Sequence, residues 1–163
     1  VPQDMGLEFL PFLNNPIVAV APPNHPLCKL EQLRMQDLEP HTLLVREQGS
    51  GTRKACEEYF KDKRVHFTQT LEVASADAQR ECVIAGLGIA LLTRHALNME
   101  LATGVLKELP VEELPLYRSW CVVHARGKRL SPVAQAFLEY IRSERTQISA
   151  LGQTFSGYCP TAH

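Results

Sequence analysis

No two of the five cysteines in this 163-residue sequence stand in C-x-x-C spacing. The odd, scattered set of Cys28, Cys56, Cys82, Cys121 and Cys159 argues against a disulfide framework and against a zinc knuckle, and it fits a reducing compartment, the cytoplasm. The first four lie in apolar patterns and read as small core residues, which leaves Cys159 as the candidate reactive thiol. The six histidines lack the paired spacing of a metal-binding helix, so no metal ligand is assigned. An excess of one charge is missing as well. With 17 Lys+Arg against 18 Asp+Glu the net charge is −1, without the basic stripe of a direct nucleic-acid binder. The longest apolar runs, 17–22 and 86–93, are far short of the ~20 residues of a membrane span, so no membrane partner is expected. Internal repeats, low-complexity stretches and a basic-start leader with an apolar core are all absent. The opening "VPQDMGLEFLPFLNN" reads as loop and edge strand, and a fragment of a longer protein is expected.

What is present is a chain long enough for one ordinary domain with a buried core. "PIVAVA" reads as a buried strand closed by Pro22 and Pro23, and Leu30, Leu33 and Leu38 stand near helical spacing before Pro40. "TLLVR" then reads as a strand running straight into a glycine turn and a helix over about 52–62, with Ala55, Cys56, Tyr59 and Phe60 on one face. "HFTQTLEV" (66–73) alternates as a strand. "SADAQRECVIAGLG" supplies Ser75 as N-cap, Asp77 in the first turn and Gly86 as a left-handed terminator, and "GIALLT" returns as a buried strand. Strand–helix–strand–helix–strand with short links is the pattern of an α/β fold with a parallel sheet. A long strand (116–125) and a helix capped by Ser131 with Pro132 at its first position follow, and Val133, Phe137, Tyr140 and Ile141 form the helix's apolar stripe.

The stretch "REQGSGTR" puts Gly49, Ser50, Gly51 and Thr52 directly before a helix. Such a junction aims backbone N–H groups and the positive end of a helix dipole at one spot, which suits an anion. The plainer reading is a cap supplied by Ser50 or Thr52. A Walker loop is excluded because Thr52 and Arg53 follow Gly51 where a lysine is required, and the spacing is wrong for a serine nucleophile elbow. Ser75-Ala76-Asp77 opens the helix after the next strand. Ligands of open α/β sheets collect at the carboxyl ends of parallel strands, so both helix starts are expected at one crevice.

These residues carry a resemblance. "REQGSGTR" followed by "VIAGLGIALL" is similar to the effector-binding domain of LysR-type transcriptional regulators, and "NNPIVAVAPPNHPL" and "RLSPVAQAFLEYI" resemble the same domain's earlier strand-loop and last helix, over about 16–148. "GTRKACEEYF", "HALNMELATG" and "RLSP" most resemble the regulators of the carbon-fixation (RuBisCO) operon. The resemblance implies a periplasmic-binding-protein-like (type 2) α/β fold of two Rossmann-like subdomains with a small anionic effector between them, a phosphorylated metabolite among the candidates. The expected layout is an effector-binding domain over 1–150, with the second subdomain complete at about 17–125, a helix over 126–150 returning to a first subdomain that is only partial, and a loose tail over 151–163. DNA would be bound only through a winged helix-turn-helix absent from these residues, by a homodimer or homotetramer. Ligand contacts carried over from the family fall on Gly49, Ser50, Gly51, Thr52, Ala74, Ser75 and Asp77. Gln48 departs from the family's frequent proline, and Ala76-Asp77 from the Asn-Glu of the carbon-fixation regulators.

A sensing domain without catalytic residues, cofactor or metal is therefore expected. A periplasmic solute-binding protein of a transporter is the alternative; it would need a signal peptide and usually avoids free cysteines. An enzyme on the same scaffold would need a carboxylate pair or a nucleophile with its base, and Glu57/Glu58 and Glu112/Glu113 read as solvated faces instead.

Overall fold

The computed structural model describes residues 6–154. Its elements are β1 (Leu7–Ala21), β2 (Leu43–Arg46), α1 (Gly51–Lys63), β3 (Thr70–Val73), α2 (Ala76–Ile84), β4 (Ile89–Thr93), α3 (Asn98–Thr103), β5 (Lys107–Glu108), β6 (Leu116–Ala125) and α4 (Pro132–Thr154). They divide into two compact units. One spans Pro16–Leu116; the other takes the first half of β1, most of β6, and α4.

In the Pro16–Leu116 unit the strand order is β3-β2-β4-β1-β5. The expected β2–α1–β3–α2–β4 run forms the parallel part, with Leu43 opposite both Thr70 and Ile89. β1 joins it antiparallel to β4, Ile17 facing Thr93, and β5 pairs antiparallel with β1, Val20 facing Glu108. From β2 the chain steps outward to β3, then back past β2 to β4. Right-handed crossovers in opposite directions put their helices on opposite faces of the sheet. Accordingly Ala55 and Cys56 of α1 pack with Leu43, Ile89 and Leu91, whereas Val83 of α2 packs with Leu44, Ala90 and Leu92. Removing each such large side chain from water contributes ~1.5–3 kcal/mol.

Several expectations are corrected. Leu30, Leu33 and Leu38 do not share a helix: two 3-10 turns (Pro26–Lys29 and Met35–Leu38) flank Leu33, whose backbone exchanges hydrogen bonds with the 110–112 segment instead. Leu30 is left exposed. The strand expected from residue 66 begins only at Thr70, because the His66 N–H is taken by the Glu39 carboxylate and the Thr68 N–H by the Glu39 carbonyl. Of the four cysteines expected in the core, Cys56 is buried, Cys28 and Cys82 are half-buried, and Cys121 on β6 is exposed.

In the other unit β6 pairs with β1. Ser131 caps α4 by accepting from the Ala134 N–H at 3.3 Å. Of the apolar stripe on α4, Ile141 is buried together with Leu138, while Val133, Phe137 and Tyr140 are 80%, 58% and 59% exposed. α4 continues to Thr154, beyond the expected boundary at 150; Cys159 lies outside the described residues.

Candidate functional site

β2 ends at Arg46, and Glu47 to Ser50 make the turn into α1. Gly49 sits at φ +92°, a left-handed conformation that favours glycine. Ser50 is the N-cap: its Oγ accepts from the Arg53 N–H at 3.4 Å, and its carbonyl accepts from the Lys54 N–H at 3.0 Å. The Gly51 and Thr52 N–H groups belong to the first turn and have no acceptor within the helix. Thr52 is half-buried and Gly51 exposed.

Two arginines that the sequence reading did not single out surround this turn. The Arg53 guanidinium reaches back over it, Nη1 donating to the Arg46 carbonyl at 2.7 Å, and it pairs with Glu57 at 2.7 Å and Glu72 at 2.5 Å. Hydrogen bonds to those two carboxylates hold its pKa above the ordinary arginine value. Arg53 thus ties α1 to the ends of both β2 and β3. Arg46 donates two hydrogen bonds to Glu47, at 2.7 and 2.8 Å. That contact lowers the Glu47 carboxyl below its usual range and raises Arg46, which is further held charged by attraction to Asp77. The signal was present in the motif itself, where "REQGSGTR" begins and ends on arginine.

The second helix start follows β3, whose Val73 pairs with Arg46. Ala74 is exposed, and Ser75 caps α2 with its Oγ accepting from the Ala78 N–H at 3.0 Å. Asp77 lies in the first turn, 83% exposed at its side chain, and pairs with Arg80 at 3.1 Å. Gly49 to Thr52 are therefore gathered in one turn, and Ala74, Ser75 and Asp77 in a second. Both sit at the carboxyl ends of adjacent parallel strands, on opposite faces of the sheet. Gln79 of α2, 2% exposed, crosses between them and donates from Nε2 to the Leu44 carbonyl of β2 at 2.6 Å. Its signal was a polar residue one helical turn before buried Val83.

The arrangement is rich in donors: orphan N–H groups at two helix starts, the hydroxyl of Thr52 and a guanidinium at the end of β2. An anion is the ligand such a set stabilises. Among the described residues no group of three or more His, Cys, Asp or Glu is gathered as a metal site. None of their helices is long and apolar enough to cross a membrane.

The fold is that of the periplasmic-binding-protein-like α/β class. Comparison with known proteins gives the family: the LysR substrate binding domain model matches residues 1–146, and the chain belongs to that family. It is 37% identical over 147 residues to the RuBisCO operon transcriptional regulator of Allochromatium vinosum, covering 90% of this chain and 49% of that protein. It is 36% identical over 148 residues to the HTH-type transcriptional activator CmpR of Synechocystis, covering 91% and 49%. The chain thus spans about half the length of the curated relatives it matches. Among solved structures, the regulatory domain of Synechocystis CcmR in complex with 2-PG aligns with a TM-score of 0.84 at 34% identity, over 91% of this chain and 71% of that one.

Proposed function

We propose that this chain senses a small phosphorylated anion on behalf of a carbon-fixation-type LysR regulator, and that the carboxyl ends of β2 and β3 provide part of the anion's binding site. The observation that carries the reading is the glycine turn at residues 47–52, with two orphan N–H groups and the Thr52 hydroxyl beside Arg46. The CcmR regulatory domain, 34% identical, is solved with 2-PG, which makes 2-PG the first ligand to test. Membership of the LysR family favours a regulator over a transporter's solute-binding protein. The effector would act by its differential affinity for two arrangements of a cytoplasmic, homo-oligomeric regulator, without chemistry on the ligand.

Titration calorimetry with 2-PG tests the site. A hydrogen bond to a charged group is worth ~1.5–3 kcal/mol, so Ser50→Ala or Thr52→Ala is expected to weaken binding roughly tenfold or more. Unchanged affinity in both variants would reduce the turn to a helix cap. DNA contact is assigned to residues outside this chain, whose net charge is −1. A gel shift by the chain alone that weakens steeply with salt would contradict that assignment.

A further inference from the structure

β2 and β4 pair at Leu43–Ile89 and Leu44–Ala90 and not beyond, although β2 continues to Arg46 and β4 to Thr93. The pairing thus ends two residues before β2 does. Into that opening α2 sends the carboxamide of Gln79, and its Nε2 takes the Leu44 carbonyl, at the last position where β2 pairs with β4. The other end of the same amide, Oε1, is buried and has no protein partner. Beside it lies a narrow cavity of about 20 Å³, lined among others by Val45, Arg46, Thr52, Gln79 and Leu91. A leucine or methionine would fill the space without stranding an acceptor, so a glutamine here implies a donor for Oε1. The cavity has room for about one water, and Thr52 stands on its wall.

We propose that Gln79 is a positioning residue for the anion site. Its Nε2 fixes α2 to β2 at Leu44, and its Oε1 accepts from a buried water that also reaches the Thr52 side of the glycine turn. The two helix starts then keep one fixed separation although they lie on opposite faces of the sheet. The inference rests on the reading of that region as an anion site, and its first test needs no ligand.

Gln79→Met keeps the volume and removes both polar ends; Gln79→Glu keeps the shape and an acceptor but removes the donor. In the ligand-free chain, hydrogen exchange of Gln79→Met is expected to speed up roughly tenfold or more at the first hydrogen-bonded amides of both helices, Arg53 and Lys54 bonded to Ser50 in α1 and Ala78 and residue 79 bonded to Ser75 in α2, the opening of each losing about one hydrogen bond of restraint. Changes confined to α2, or none, would overturn the proposal. Should Gln79→Met fail to fold, Gln79→Leu, which also removes both polar ends, is read by the same criterion, Gln79→Glu being the costlier change because it sets a carboxylate against the Leu44 carbonyl. In the wild-type chain, magnetisation transfer from a long-lived water to the Gln79 side-chain amide is expected, and its absence removes the water from the account. With 2-PG, Gln79→Met is expected to bind roughly tenfold more weakly. Unaltered affinity together with unaltered exchange overturns the positioning role. If the wild-type chain does not bind 2-PG, the functional reading fails, while the ligand-free exchange still decides for or against Gln79.

Discussion

The two ends of the β2–β4 pair are built on opposite terms. At the amino end, backbone packs on backbone: Gly88 precedes β4, and a Cβ placed there would stand 2.3 Å from the Thr42 carbonyl oxygen, which accepts from the Ile89 N–H at 2.9 Å. At the carboxyl end the ladder stops early, a helix leaves on each face, and N–H groups, an arginine and the Gln79 amide face the opening. One end therefore serves stability and needs glycine for closeness. The other needs glycine for a turn, and in the function proposed above it serves recognition. The contrast teaches that ligand chemistry in this unit follows the direction of the parallel strands more than the identity of any one residue.

Mutations can break the contrast from either side. The largest effect is expected at the closed end. Gly88→Ala must move backbone, at a cost of about 3 kcal/mol or more, and should lower the Tm by ~6–12 °C in a calorimetric scan. A Tm within a degree or two of wild type would mean that the end is not closed as described. At the open end, Arg46→Gln removes a guanidinium and should weaken 2-PG binding by ~2 kcal/mol, about 30-fold, with little change in Tm, when both are measured on the same preparation. Loss of stability without loss of affinity would make Arg46 a structural ion pair with Glu47. Ser75→Ala removes a cap and should cost about 1 kcal/mol in chemical denaturation.

The smallest effect belongs to the closed end and to pH. His25 Nδ1 accepts from the Leu27 N–H at 3.3 Å, and its ring lies edge-on to His41, which immediately precedes Thr42, with centroids 4.7 Å apart. Burial, then the nearness of His41, lower its pKa below the ordinary 6.5. The unfolded chain thus binds the proton more readily. Stability is complete above about pH 6.5 and falls as the pH drops toward the folded value, since protonation also removes the Nδ1 acceptor. His25→Asn keeps a capping acceptor without a titration and should slightly flatten the pH dependence of denaturation below about pH 6.5.

Local chemistry was legible in the sequence. The Ser50, Ser75 and Ser131 caps, the glycine turn and the bounds of β6 follow from a few adjacent residues whose hydrogen bonds stay within one turn. The non-local features were not legible. Leu33 reads as helical until its backbone is seen bonded to the 110–112 segment, and the antiparallel placement of β1 depends on strands far along the chain. On α4 the apolar stripe was legible, while the burial of Ile141 together with Leu138, and the exposure of Val133, Phe137 and Tyr140, depend on what the rest of the chain packs against the helix. Within the candidate site the motif pointed to the turn, while its charge and its cross-brace came from residues that look ordinary in sequence. Arg46 ends a strand, Arg53 reads as a surface position, and Gln79 reads as one polar residue among several in α2.

The central claim is that the open end of β2 and β3 holds a phosphorylated anion. The most direct measurement is a titration of the ¹⁵N-labelled chain with 2-PG, followed by amide chemical shifts. The account predicts saturable shifts largest at Gly49–Arg53 and Ser75–Ala78, reduced in Thr52→Ala and undiminished by an equimolar uncharged glycol. No saturable shift, or shifts centred away from both helix starts, would contradict it.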